Sequence, residues 1–191
     1  KRALVGGVGL MEALPQAEHS LKAILDGDTY GDASAFMHLL AEGNILTMFR
    51  FSEFISPTPV DKRIFQLVMQ DEARHVSYGM QHLKWTIDHT PERKEQLHSA
   101  LDEGESITIN QFDAALTECM IVLAGKGTKP EQIAEGVKIV GQLQIKQMQE
   151  YFQRLRRAGF EDRIARSKFT PMLSQLGLTP EFTSKAAAEV S

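Results

Sequence analysis

The stretch QDEARHVSYGMQHL at residues 70–83 decides the fold class, because it sets acid and imidazole side chains within a helical pattern. Glu72 and His75 stand three residues apart, so on a helix both side chains leave the same face. Apolar residues on either side recur at intervals of three and four, as in an amphipathic helix. A charged pair inside an apolar helix is costly to bury unless it is paired or bound to a cation. The stretch therefore predicts a long helix with metal ligands at mid-length.

The same helical pattern extends over the rest of the chain. Prolines beside a hydroxyl or an acid, as at Thr58-Pro59 and Pro130-Glu131, are typical of helix starts. No segment alternates apolar and polar residues as a half-buried strand does. We therefore predict an all-α fold, with helices over residues 8–25, 32–55, 59–88, 91–124 and 130–157 and a shorter helical piece within 161–176.

Composition favours one globular domain over residues 1–185, followed by a tail at 186–191. The formal net charge is -4, with 21 basic and 25 acidic residues interspersed, which argues against a nucleic-acid partner. Cys119 is the only cysteine, so a cytoplasmic location without disulfides is expected. The apolar runs are too short to cross a membrane. Because the chain starts at Lys1, it can be the C-terminal part of a longer protein.

Glu42 lies in a second apolar helix, thirty residues before Glu72. If the turn between the two helices is centred near Pro57, the acids lie at equal distances from it and therefore at one level of an antiparallel pair. Glutamate oxygen and neutral imidazole are donors that iron and manganese accept. Glu42, Glu72 and His75 can thus share an ion. The alternative for Glu42 is an interhelical ion pair with Arg74 or Arg50.

Other polar residues are weaker candidates. Glu95 and His98 repeat the spacing of the ligand pair, but their charged neighbours indicate a solvated helix face. His38 and His82 lie on the same helix faces as the ligands, where a hydrogen-bonding role is commoner than direct coordination. Tyr78 is close enough to His75 to host a radical or a hydrogen bond, although an ordinary core tyrosine is the commoner case. A cluster of arginines at 154, 156 and 157 is expected at a helix end.

The DEARH string at residues 71–75 resembles the second Glu-x-x-His helix of the ferritin-like di-iron carboxylate superfamily. It is most similar to that of the ribonucleotide reductase small subunit and the bacterial di-iron oxygenases. The similarity continues through the QHL at residues 81–83, and one glutamate on the preceding helix, here Glu42, is also the family order. It covers residues 32–86 and implies a ferritin-like helical bundle, here with additional C-terminal helices.

The resemblance also implies a site and an activity. Glu42 and Glu72 would be carboxylate ligands and His75 a nitrogen ligand of two iron ions, or of iron and manganese. Asp71 would accept a hydrogen bond from a histidine on another helix. The implied activity is that of an oxidoreductase that uses dioxygen to oxidise a small organic substrate, with electrons from a transfer partner. A ferritin-like ferroxidase and a metal-free helical protein are the alternatives.

The sequence departs from the family in one respect. A site of this family takes a glutamate from each of two helices and a Glu-x-x-His from each of two others, whereas this chain offers one of each. Residues 1–31 contain no Glu-x-x-His. Either the first half lies upstream of Lys1, or a second chain supplies it about a twofold axis. In both cases we expect these 191 residues to form a homodimer whose half-sites face each other.

Overall fold

The computed structural model describes residues 22, 24, 25, 29–110 and 114–175. In these residues every regular element is a helix, which confirms the all-α prediction. The helix predicted over 8–25 and the tail predicted at 186–191 lie mostly or wholly outside the described residues. The elements are α1 (Tyr30–Ser34), a π-helix that we call the π segment (Ala35–Ala41), α2 (Glu42–Ile55), α3 (Pro59–His89), a 3₁₀ turn (Pro91–Arg93), α4 (Lys94–Asn110), α5 (Ala114–Gly125), α6 (Pro130–Arg157), α7 (Arg163–Arg166) and α8 (Phe169–Gln175).

Side-chain caps fix where the first helices begin. Thr29 and Asp32 form a capping box at the start of α1, in which each side chain accepts a hydrogen bond from the backbone N–H of the other residue. Thr58 caps α3 by accepting from the Asp61 N–H at 3.1 Å, and Pro59 occupies the first turn. These caps satisfy amide groups that a helix start leaves without partners.

The stretch from α1 to α2 is one continuous helix with a π-helical middle. The sequence predicted a regular helix over 32–55, and its extent is right to within two residues. The π segment was not predicted. A π-helix closes hydrogen bonds to the residue five positions back, as the Glu42 N–H does to the Met37 carbonyl.

Helices α2 and α3 form an antiparallel pair around the turn at Pro57. The rings of Phe49 and Phe65 pack with centroids 6.1 Å apart, and each lies eight residues from Pro57. The Gln66 amide donates to the Glu53 carboxylate at 2.7 Å, which is a further contact between the two helices. The predicted turn is therefore confirmed, and residues at equal offsets from it share a level.

The main core lies between the helical stretch 30–55 and the C-terminal half of the chain. Its buried members come from the π segment, from α3, α4, α6, α7 and α8, and from the loop after α6. The fully buried ones include Leu39, Leu83, Leu97, Leu101, Phe152, Leu155 and Phe160. A smaller cluster around Phe51, Ala124 and Val140 joins α2 to α5 and α6. The predicted helix 91–124 is divided accordingly: α4 contributes to the main core and α5 to the smaller cluster, and residues 111–113 are outside the described part.

The sequence also predicts an exposed apolar face around the acids, formed by Phe36, Leu39, Leu46, Phe65 and Val68. Only part of this face is exposed in the structure. Phe36 and Leu39 are only 7% and 0% exposed, because they pack inward against α4 and α6. Val68 is exposed as expected, and further exposed apolar side chains occur along α3 at Ile64 and Trp85. No helix in the described part of the chain is both long and apolar enough to cross a membrane.

Candidate metal centre

The level pairing of α2 and α3 brings Glu42, Glu72 and His75 together. The His75 Nδ1 atom lies 3.9 Å from the Glu42 Oε1 atom and 3.7 Å from the Glu72 Oε2 atom. One ligand atom from each of the three residues lies within 4.8 Å of the others. An ion held at about 2.0–2.2 Å from nitrogen and oxygen needs its ligands within about 4.4 Å of one another. Small side-chain rotations would therefore suffice to bind one ion.

Burial differs sharply among the three residues. The side chains of Glu42 and Glu72 are 15% and 14% exposed, whereas that of His75 is 60% exposed. The pKa of Glu72 is raised above its usual value, first by burial and then by the charge of Glu42, while the imidazoles of His75 and His38 act in the opposite direction. The two half-buried acids thus repel each other. The site is open to solvent on the side of His75.

The buried ring of His38 contacts the Glu42 carboxylate. Its Nδ1 atom lies 2.5 Å from the Glu42 Oε2 atom, and this contact favours the tautomer in which Nδ1 donates to the carboxylate. The ring is 4% exposed and packs on Gly79, where an added Cβ would lie 2.2 Å from the ring carbons. Its Nε2 atom has no hydrogen-bond partner among the described residues. The sequence left two roles open for His38, a hydrogen bond and direct coordination. The structure shows a hydrogen-bonding contact with the candidate ligand Glu42.

Tyr78 and His82 form an aromatic group beside the acids. The Tyr78 ring meets the His38 ring edge-on at 6.2 Å and stacks on His82 at 6.4 Å. Tyr30 packs edge-on against His82 at 5.0 Å. The pKa of Tyr30 is raised, mainly by a hydrogen bond with Tyr78 and to a smaller extent by burial. Tyr78 is 58% exposed. It is therefore not the ordinary core tyrosine that the sequence favoured.

The remaining charges near the acids are engaged elsewhere. Asp71 is exposed and pairs with Arg74 on its own helix, which is not the contact with a histidine on another helix that the resemblance implies. Arg50 donates to both Glu150 oxygens at 2.5 and 2.6 Å. The two arginines considered as ion-pair partners for Glu42 are therefore bound to other acids.

The second Glu-x-x-His pair is only partly the solvated face expected. Glu95 is exposed and accepts from Arg166 at 2.9 and 3.1 Å. His98, however, is 1% exposed, and its Nε2 atom lies 3.1 Å from an Asp162 oxygen. The prediction was wrong for His98 because the segment after α6 covers it, with Phe160 against its ring at 5.3 Å.

The sequence did not predict that Arg154, Glu105 and Arg163 are buried. Arg154 was expected in a helix-end cluster, but it is 7% exposed and donates from Nε to the Leu39 carbonyl at 2.9 Å. Glu105 is fully buried, and its carboxylate accepts from the Tyr151 hydroxyl at 2.6 Å and pairs with Arg163 at 2.8 Å. Their partners lie 46 to 115 residues away, so no local pattern could reveal them.

Compared with known protein families, with curated proteins and with solved structures, the chain matches none of them. The resemblance to the ferritin-like superfamily thus rests on the motif at residues 71–75 and on Glu42.

Proposed function

We propose that this chain provides carboxylate and imidazole ligands to a non-haem di-iron, or iron/manganese, centre of a ferritin-like oxidoreductase. The observation that carries the proposal is the approach of Glu42, Glu72 and His75 to within 4.8 Å of one another. The proposed activity is the oxidation of a small organic substrate by dioxygen, with electrons from a transfer partner.

The donor set fits part of such a centre. Carboxylate oxygen and imidazole nitrogen suit iron and manganese, and a carboxylate can bridge two ions. Glu42 raises the pKa of Glu72, and a cation between the two acids would remove that repulsion. When bound, the metal pair supplies the electrons with which dioxygen is reduced. Three ligands serve one ion, whereas a full centre of this family takes four carboxylates and two histidines.

The chain's own residues perform the supporting tasks. His38 orients the Glu42 carboxylate through its Nδ1 proton, and packing against Gly79 fixes the ring. Leu39 and Leu83 are fully buried and keep water from the inner side of the helix pair. His75, which is largely exposed, faces the side where further ligands have to approach.

We propose that a second copy of the chain covers this side. Along α3 a row of side chains repeats at alternating intervals of four and three residues, which is the repeat of paired helices. We call it the α3 seam, and it consists of Ile64, Val68, Asp71, His75, Tyr78, His82, Trp85 and His89. Ile64, Tyr78 and Trp85 are 52%, 58% and 57% exposed, so apolar side chains flank the half-site along the helix.

The spacing of the seam suits an antiparallel pairing about a twofold axis. If His75 of one copy meets His75 of the other, Ile64 falls opposite Trp85 and Val68 opposite His82. Aliphatic side chains then meet rings, and the two sets of ligands face each other at the centre. This pairing would supply the missing carboxylates and the second histidine.

Iron loading tests the proposed function. The purified chain should be loaded with ferrous iron without oxygen, and both bound iron and oxygen uptake should then be measured. We expect about one iron ion per chain, and oxygen uptake that depends on the iron. Oxidation and retention of many iron ions per chain would select the ferroxidase instead. Iron content near zero, even after growth in iron-replete medium, would leave a metal-free helical protein.

A further inference from the structure

The π segment is the main irregularity of the ligand helices, and it ends immediately before Glu42. It spans Ala35–Ala41 and includes His38. A π-helix is rare because its hydrogen bonds and packing are less favourable than those of an α-helix, and it persists where other contacts hold it. The described residues that contact this segment include Arg154 of α6.

Arg154 of α6 contacts the π segment at its C-terminal end. Its Nε atom donates to the Leu39 carbonyl at 2.9 Å. Its guanidinium occupies the space beside Gly43, where an added Cβ would lie 2.2 Å from Cζ. Burial lowers the pKa of Arg154 to about 10, and Glu150 acts against that shift. The side chain therefore stays charged at neutral pH.

This contact is costly in a way that packing alone does not explain. Arg154 is 7% exposed, and its Nη2 atom has no hydrogen-bond partner among the described residues. A buried donor without a partner is destabilising, and an apolar side chain would fill the same space without that cost. What an apolar side chain lacks is a donor for the Leu39 carbonyl.

We propose that Arg154 is a positioning residue for the candidate metal centre: it holds the π segment against relaxation to an α-helix and thereby keeps His38 on Glu42. An α-helix also places residues i and i+4 on one face, but relaxation would turn His38 about the helix axis relative to α3. His38 would then leave its place against Gly79, where packing fixes the ring with Nδ1 on the Glu42 carboxylate. The inference rests on the proposed function only for its effect on metal, since the His38 contact exists without metal.

A second contact of α6, this one with α2, provides a matched control. Glu150 lies one turn before Arg154 on α6 and accepts from Arg50 at 2.5 Å and from Thr47 at 3.4 Å. These partners belong to α2 and lie beyond the π segment. Glu150→Gln therefore weakens the docking of α6 without touching the Leu39 carbonyl.

The test compares Arg154→Met with Glu150→Gln by two measurements. The first is nitrogen-15 NMR of the metal-free protein, in which the His38 Nδ1 proton reports its hydrogen bond to Glu42. The second is titration with cobalt(II), whose visible spectrum reports both ligand set and affinity. We expect Arg154→Met to lose the bonded Nδ1 proton signal and to bind cobalt about 10- to 100-fold more weakly, as when a group that orients a ligand is removed. Glu150→Gln should retain the signal and bind with nearly unchanged affinity.

Gly43→Ala tests the same contact from the other side, since its methyl group would expel the guanidinium while Arg154 remains. Alanine is otherwise favoured over glycine within a helix, so the same loss of the His38 signal would support the proposal. A retained signal in Arg154→Met or Gly43→Ala would overturn it, as would equal loss in Glu150→Gln. Unfolding of either of the first two variants would assign Arg154 to stability and would also overturn it. If the unaltered chain binds no cobalt, the proposed function fails, whereas the NMR result still decides the role of Arg154.

Discussion

Phe49 and Phe65 pack with ring centroids 6.1 Å apart, and they lie at equal distances from Pro57 on opposite sides of the turn. The same symmetry relates Glu42 to Glu72, fifteen residues from Pro57 on either side. The aromatic pair therefore sets the register in which the two acids meet. A shift of one residue in this register would turn one acid away from the other.

Glu72→Ala should reduce bound metal far more than Glu95→Ala. Glu72 approaches both Glu42 and His75, whereas Glu95 is exposed and pairs with Arg166. Metal analysis of the two purified variants after equal iron loading measures the difference. Equal loss in both would mean that the wrong Glu-x-x-His pair has been chosen.

Gly79→Ala should destabilise the fold by about 1–3 kcal/mol, the usual cost of overpacking. Its methyl group would lie 2.2 Å from ring carbons of His38, so the ring would have to move. Gly141→Ala is the matched control, because an added Cβ at this helical glycine meets nothing within 4 Å. Urea unfolding of both variants makes the comparison. A Gly79→Ala chain as stable as the control would contradict the close packing of His38.

Stability of the metal-free protein should depend on the ionisation of Glu72. Burial and Glu42 raise its pKa in the folded state, so the unfolded chain releases this proton at lower pH. Stability from this group therefore falls as pH rises between the unfolded and folded pKa values, and the full loss persists above them. Glu72→Gln should be more stable than the unaltered chain at pH 8, and this advantage should disappear as the pH is lowered. An advantage independent of pH would show that the charge is not the cause.

Substitutions in the α3 seam should control the oligomeric state. We expect the unaltered chain to be a dimer in sedimentation experiments, and Ile64→Lys or Trp85→Glu alone to weaken it. The double variant should recover association, because the antiparallel pairing puts opposite charges across the interface. Phe54→Glu, at an exposed apolar residue outside the seam, should leave the dimer intact. A stable monomer that binds two metal ions would refute this pairing and reveal ligands elsewhere in the chain.

Arg163→Met should destabilise the fold by about 3–5 kcal/mol, because it leaves the buried Glu105 charge without its partner. The side chains of both residues are fully buried in the structure. Arg157→Met, at an exposed position on the last turn of α6, should change stability by about 0.5 kcal/mol or less. Thermal or urea unfolding distinguishes them. Similar stability of the two variants would show that the buried pair contributes little.

The α2–α3 pair was predictable because its determinants are local. The turn at Pro57, the cap at Thr58 and the helical spacing of the apolar residues together set the level of Glu42 and Glu72. Constant rise per residue then carries the register from the turn to the acids.

The π segment and the buried charges were not predictable, because distant parts of the chain cause them. Arg154 reaches Leu39 across 115 residues, and Asp162 reaches His98 across 64. The sequence neighbours of Arg154 are typical of an exposed helix end, and those of His98 are typical of a solvated helix face. Only tertiary packing reverses both assignments.

The contacts of the buried Glu105 carboxylate affect how the chain can fold during synthesis on the ribosome. Its carboxylate is satisfied by Arg163, by the Ser167 hydroxyl at 3.0 Å and by the Lys168 backbone N–H at 2.7 Å. Until those residues emerge, α4 would have to bury the acid with the Tyr151 hydroxyl as a donor but without the Arg163 cation, which is strongly unfavourable. The nascent chain therefore cannot complete its core vectorially from the N-terminus, and closure has to wait until translation has passed Lys168.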